Sequence, residues 1–120
     1  MRIQVTEYLD IDLEKEVWLC RQCEKELISA RDNYKKGCLV YDRDPRDIHN
    51  PISNEPLAFC PDPNWVLYVE FYCPSCGTLL DVEPLPPGHP ITHDIQLDID
   101  GLKDRFIKEK EIKEALEGNR

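Results

Sequence analysis

Two short stretches decide the fold: CRQC at residues 20–23 and FYCPSCG at residues 71–77. Each holds two cysteines with two residues between them, Cys20 and Cys23 in the first, Cys73 and Cys76 in the second. That spacing lets one tight turn aim both sulfurs at a single point. Two such turns brought together give the tetrahedral four-thiolate shell of structural zinc, with Zn–S bonds of about 2.3 Å. Gly77 suits the second turn. The residue after the last ligand often needs φ > 0 so that backbone N–H groups point at the thiolates, a conformation glycine adopts freely.

The whole of residues 24–72 lies between the pairs, where about 15–20 residues are more usual. Loop closure permits the wider spacing, because each doubling of length costs only about 0.6 kcal/mol. A metal here would fasten the start of the chain to its middle, and its affinity would become folding energy. A redox pair at Cys73 and Cys76 is the competing reading. That motif sits near a βαβ pattern, and the TLLDVEPLPP that follows Cys76 cannot carry a helix far. Unligated buried thiols are the other alternative. A catalytic zinc keeps an open position, which four cysteines would fill.

Length and composition agree with this frame. The 120 residues suffice for one compact domain, so residues 1–120 are expected to form a single zinc-stapled unit, β-rich over 1–100 and helical over 101–118. No apolar run approaches the roughly 20 residues that span a bilayer. The opening MRIQVTEYLDID lacks the continuous apolar stretch of a secretory signal. A cytoplasmic location is therefore expected, and in a reducing compartment six cysteines favour metal or catalysis over disulfides. With 24 acidic against 15 basic residues the net charge is −9, and no basic cluster follows the paired cysteines. Nucleic acid is disfavoured as a partner and another protein is favoured.

Working outward along the chain, Ile3 and Val5, then Leu9, Ile11 and Leu13, alternate with mostly polar residues, a half-buried strand or a bent pair of strands. EVWLCRQCEKELISA (16–30) reads as a hairpin with the first knuckle at its turn. CLVYD (38–42) is a further short strand. Residues 42–64 hold Pro45, Pro51, Pro56, Pro61 and Pro63, which rule out a long helix or a central strand and predict an extended, ordered loop. WVLYVEFYC (65–73) is the strongest strand signal, with a near-continuous apolar run that predicts burial on both faces. Alternation at Ile95, Leu97 and Ile99 predicts a late strand pairing with the early one.

The tail reads as a helix. Leu102, Phe106, Ile112 and Leu116 fall on one arc of about 120°. Asp98 or Asp100 serves as cap, Glu109 and Lys113 form an i,i+4 pair, and Gly118 suits the end. The expected class is mainly β (α+β): a small antiparallel β domain with a zinc-ribbon-like site of four cysteines, extended proline-rich loops and one C-terminal helix.

Other reactive residues carry weaker signals. Cys38 and Cys60 each stand alone beside apolar residues and read as small buried hydrophobes. His89 and His93, in GHPITHD, have a spacing that could serve a metal, yet fit a partner surface or solvent equally well. His49, in DIHNP, reads as a loop hydrogen-bonder. There is no clustered glycine loop for phosphate and no G-x-S-x-G elbow. No catalytic or cofactor-binding residue is assigned.

Two stretches go beyond the generic zinc-ribbon pattern: DRDPRDIHNPI (42–52) and CPDPNWVLYVEFYCPSCGTLLDVEPLPPGHPITHDIQLDIDGLK (60–103). Their combination of PDPNW, EFYCPSCGT and PLPPGHPITHDI resembles the acetone carboxylase gamma-subunit family, the small subunits of ATP-dependent ketone carboxylases, and CRQC is similar to that family's upstream knuckle. The resemblance implies a multisubunit, biotin-independent carboxylase whose larger subunits use ATP to activate a ketone and bicarbonate and join them into a β-keto acid. It implies a small subunit that carries structural zinc at Cys20, Cys23, Cys73 and Cys76 and holds the assembly together, with ATP and bicarbonate bound elsewhere in the complex. The short chain tilts the reading toward an acetophenone carboxylase. Larger carboxylase subunits are the expected partners, met through the proline-rich segments and the helix. Two rival readings are a free-standing zinc-ribbon adaptor and a thiol oxidoreductase using CPSC.

Overall fold

The structure, a computed structural model, describes residues 1–49 and 60–118. Among these residues, seven strands form two antiparallel sheets. In the first, β1 (Arg2–Gln4), β2 (Leu9–Asp12), β3 (Val17–Cys20) and β4 (Glu26–Ser29) follow one another as a meander. The second contains β5 (Leu39–Arg43), β6 (Leu67–Tyr72) and β7 (Leu79–Leu85), with β6 in the middle. One helix, α1 (Ile99–Gly118), ends the described chain.

The alternation of the first segment resolves into the bent pair of strands, Ile3 facing Ile11 across the β1–β2 ladder. β3 and β4 are the expected hairpin, with the CRQC turn between them. The sheets meet through one apolar cluster built on Leu9, Ile11, Trp18, Tyr34, Leu80 and Ile99, all buried. Trp18 packs against Tyr34 at 5.2 Å between ring centroids, and its indole N–H donates to the Asp32 carbonyl at 3.1 Å. A smaller cluster of Val69, Phe71 and Leu85 lies in the second sheet, and Cys38 packs against both clusters.

A 3-10 turn at Tyr34–Gly37, capped by the Asn33 side chain, joins the sheets. It carries Lys35, whose side chain is wholly buried. Its ammonium lies 2.9 Å from Glu83, 3.0 Å from Asp94 and within hydrogen-bonding reach of Thr92. Beside it the Tyr34 hydroxyl donates to Asp81 at 2.7 Å. These bonds hold the PLPPGHPITHD segment against β7 through side chains.

That segment corrects one expectation. Residues 91–98 form no strand, and Ile99 opens α1 instead. Ile95 and Leu97 still pack against the core, so the alternation reports an extended backbone with one face inward and no ladder partner. The region expected as a loop at 42–64 contains a second 3-10 turn at Pro45–Asp47. Its residues 50–59 lie outside the described residues.

The helix needs a second correction. Asp98 is the cap, accepting the Gly101 N–H at 3.0 Å. Leu102 and Phe106 pack on the core as expected, but Ile112 and Leu116 are 61% and 65% exposed because α1 runs past the body. The molecule measures 73 × 26 × 24 Å as a result. Glu109 meets Arg105 at 3.4 Å, one turn before it, in place of Lys113. Burial in the second sheet is uneven as well. Val69, Glu70 and Phe71 are enclosed, while Trp65, ahead of β6, is 76% exposed. Among the described residues, no helix is long and apolar enough to cross a membrane.

Candidate metal centre

Both Cys-x-x-Cys units sit at hairpin turns. Cys20 ends β3 and the turn returns into β4; Cys73 follows β6 and the turn returns into β7. The two turns are built alike. In the first, the Cys20 N–H donates to the Lys25 carbonyl at 3.0 Å and the Glu24 N–H donates to the Cys20 carbonyl at 2.8 Å. In the second, Cys73 donates to Thr78 at 2.9 Å and Gly77 to Cys73 at 3.0 Å. Gly77 has φ of 75°, the left-handed conformation expected of it, and Glu24 occupies the equivalent place with φ of 64°.

The two turns face each other. Cys20 Sγ lies 3.7 Å from Cys76 Sγ, and Cys23 Sγ lies 3.5 Å from Cys73 Sγ. All four sulfurs lie within 4.8 Å of one another. A tetrahedron with Zn–S bonds of about 2.3 Å has edges of about 3.8 Å, so the thiols present fit a zinc ion. Cys20 and Cys73 are buried beneath the site while Cys23 and Cys76 face solvent. Burial pushes the Cys20 thiol up to about 12. The Thr78 hydroxyl and backbone N–H hold Cys76 down at about 6, the hydroxyl from 3.0 Å.

The first knuckle is also anchored from below. Asp10, buried in β2, accepts from Arg2 Nε at 2.9 Å, and Arg21 Nε lies 3.2 Å from its other oxygen as an ion pair without hydrogen-bond alignment. Arg2 reaches on to Glu24 at 2.6 Å. Sequence reading passed over Asp10, Glu24 and Thr78. For Glu24 a signal existed, since its position after the second cysteine matches that of Gly77.

The remaining candidates stand apart from this cluster. Among the described residues, the four cysteines are the one group of three or more such side chains close enough to share an ion. Cys38 is half-buried and points at the Tyr34 carbonyl, 3.3 Å away, its thiol raised to about 11 by burial. Cys60 is half-buried beside the Pro61 carbonyl. His49 meets the Tyr68 hydroxyl at 3.1 Å, the loop contact expected of it. His89 contacts the Pro90 carbonyl, and His93 contacts Gln96.

The sequence profile of the acetone carboxylase gamma subunit matches residues 3–107. The chain belongs to that family. The match takes in both knuckles and all of β2–β7, and it ends at Ile107, leaving the projecting half of α1 outside. The chain is 57% identical over 107 residues to the acetophenone carboxylase beta subunit of Aromatoleum aromaticum, covering 89% of this chain and 83% of that protein. It is 34% identical over 91 residues to the acetone carboxylase gamma subunit of Xanthobacter autotrophicus, covering 75% of this chain but 53% of that longer protein.

Four thiolates around one ion would fill a tetrahedral shell and leave no position for substrate. Held that way, Cys20, Cys23, Cys73 and Cys76 would tie together two hairpins from different sheets.

Proposed function

We propose that this chain is the small zinc-binding subunit of a multisubunit, ATP-dependent, biotin-independent ketone carboxylase, of the acetophenone type. Zinc at Cys20, Cys23, Cys73 and Cys76 serves structure, residues 1–120 act as one stapled unit, and catalysis on the ketone, ATP and bicarbonate belongs to the larger subunits in the cytoplasm. One observation carries the reading: a four-sulfur cluster joining two sheets in a member of the acetone carboxylase gamma subunit family. The 57% identity to a protein named as an acetophenone carboxylase subunit supports the assembly and the choice of ketone. When bound, zinc supplies crosslinking energy; the chain supplies thiolates held by paired turns.

Native mass spectrometry of the chain, tagged and purified gently from its own host, tests this. The expected result is a large complex with carboxylase subunits and one zinc per copy of this chain. A lone chain with zinc would favour the adaptor reading. A lone metal-free chain would return CPSC to redox chemistry, for which a depressed thiol is the hallmark.

A further inference from the structure

The second sheet has an edge with which no strand among the described residues pairs. β5 pairs with β6 on one side, and its other side faces no strand of the described chain. Leu39, Val40 and Tyr41 follow one another along it at 58%, 46% and 50% exposure. An apolar edge of this kind is a template for a further strand unless proline, lysine or a bulge blunts it. β5 has neither proline nor bulge, and charge enters only at its far end, with Asp42 and Arg43, so the stretch Leu39–Tyr41 stays unblunted.

Both faces beside the edge are shaped. On one, Leu39 and Tyr41 share a face with Val82, Glu70 lying between Tyr41 and Val82 and paired to Arg43, whose guanidinium is 4.9 Å from the Tyr41 ring centre. On the other, Val40 and Asp42 open onto a cavity of about 280 Å³ whose far wall is Pro86, His89 and Ile91, with Val69 at its base. Asp42 has no ion-pair partner among the described residues. Charge around the sheet is one-sided too: residues 39–49 and 60–85 carry seven carboxylates and two arginines.

We propose that the edge of β5 receives an extended segment of a larger carboxylase subunit. This segment pairs with β5 through its backbone, lays apolar side chains over Leu39 and Tyr41, and seats a lysine or arginine in the cavity beside Asp42. The aliphatic stem of such a residue fits the Val40–Ile91 walls while its charge meets the carboxylate. The proposal rests on the reading of the chain as a carboxylase subunit. The family match favours the sheet over the projecting helix, since β5 lies inside the matched residues and the outer turns of α1 lie beyond them.

The test uses the full chain co-expressed with the larger carboxylase subunits of its host. Hydrogen exchange at residues 39–43 is measured in the isolated chain and in the complex, with affinities for Asp42→Lys and Ile112→Lys. Amides of 39–43 should exchange at least about tenfold more slowly in the complex, and Asp42→Lys should weaken assembly by about tenfold or more while Ile112→Lys leaves it unchanged. Assembly with unaltered exchange at 39–43 overturns the proposal alone. So does full protection in the isolated chain, because another part of the chain or a second copy then covers the edge. Loss of assembly in Ile112→Lys but not in Asp42→Lys moves the contact to the helix. Failure of the unaltered chain to assemble would instead sink the subunit reading on which the proposal stands.

Discussion

At the scale of single residues, the two knuckles form a natural experiment in backbone strain. The left-handed conformation costs an L-residue roughly 1–2 kcal/mol, and glycine escapes this penalty at an entropic cost of roughly 0.5–1 kcal/mol. Glu24 and Gly77 occupy equivalent places with φ of 64° and 75°. Glu24→Gly is therefore expected to change stability by less than about 1 kcal/mol, losing only an exposed contact to Arg2. Gly77→Val, a β-branched residue at a positive φ, is expected to destabilise by about 2 kcal/mol or more. Thermal melts of the metal-loaded variants, with zinc quantified alongside, distinguish the two. A loss of about 2 kcal/mol or more in Glu24→Gly would mean that the Glu24 side chain supports its turn in a way that Gly77 does not.

Gly37 carries a different constraint at this scale. A Cβ there would lie 2.5 Å from the Leu27 carbonyl oxygen, so β4 and the 3-10 turn approach as closely as backbone allows. Gly37→Ala forces that backbone apart and is expected to cost about 1–3 kcal/mol, read as a lowered denaturant midpoint with unchanged slope. The cysteine spacing was legible because ligand geometry is local: four residues suffice to shape each turn. Gly37 was not, because the atom it avoids belongs to a strand that only the fold brings near.

Among elements, Lys35 binds the second sheet to the PLPPGHPITHD segment. Burial lowers its pKa, but the ion pairs with Glu83 and Asp94 more than offset this and leave it raised. Burial likewise raises Glu83, and the bonds from Thr92 and Lys35 overcome that and hold it below the ordinary 4.5. A carboxylate depressed on folding contributes stability above its unfolded pKa and loses it as the pH falls through its folded pKa. Acid below about pH 4.5 should thus weaken the clamp. Lys35→Met strands the two carboxylates and is expected to cost on the order of 3 kcal/mol at neutral pH, with a flatter stability profile under acid. An unaltered profile in Lys35→Met would remove the Glu83 pairing as its cause.

Strands were readable from alternation where a partner followed in sequence, as with β2 and β3. The same signal misled at Ile95–Ile99. A period of two requires only extended backbone with one side inward, and here side-chain bonds from Lys35 and Asn33 to Thr92 anchor the segment in place of a ladder. A buried lysine could not be anticipated either, because its counter-charges lie about 48 and 59 residues away in the chain. Isolated, the residue looks like surface.

For the whole molecule, the contrast lies between the body and the outer turns of α1. Ile107, Ile112 and Leu116 are all more than half exposed, and the apolar arc meets the core only through Leu102 and Phe106. Ending the chain after Ile107 is therefore expected to leave the melting temperature within about 3 °C and the zinc content unchanged. A larger fall, seen by calorimetry of the shortened chain, would show that these turns support the body. The arc was visible in the sequence, but where the body stops beneath it was not.

The order of the two knuckles along the chain has a consequence during synthesis. Cys20 precedes Cys76 by 56 residues, so at about 5–20 residues per second the ribosome takes roughly 3–11 s to deliver the last thiol after the first. Throughout that interval the leading hairpin would display only two of the four thiols of the proposed site. Closure comes once β6 and the CPSC turn have emerged and folded back. On the proposed function, a metal bound between the halves would mark a chain translated past Cys76, and fragments released earlier would lack that crosslink.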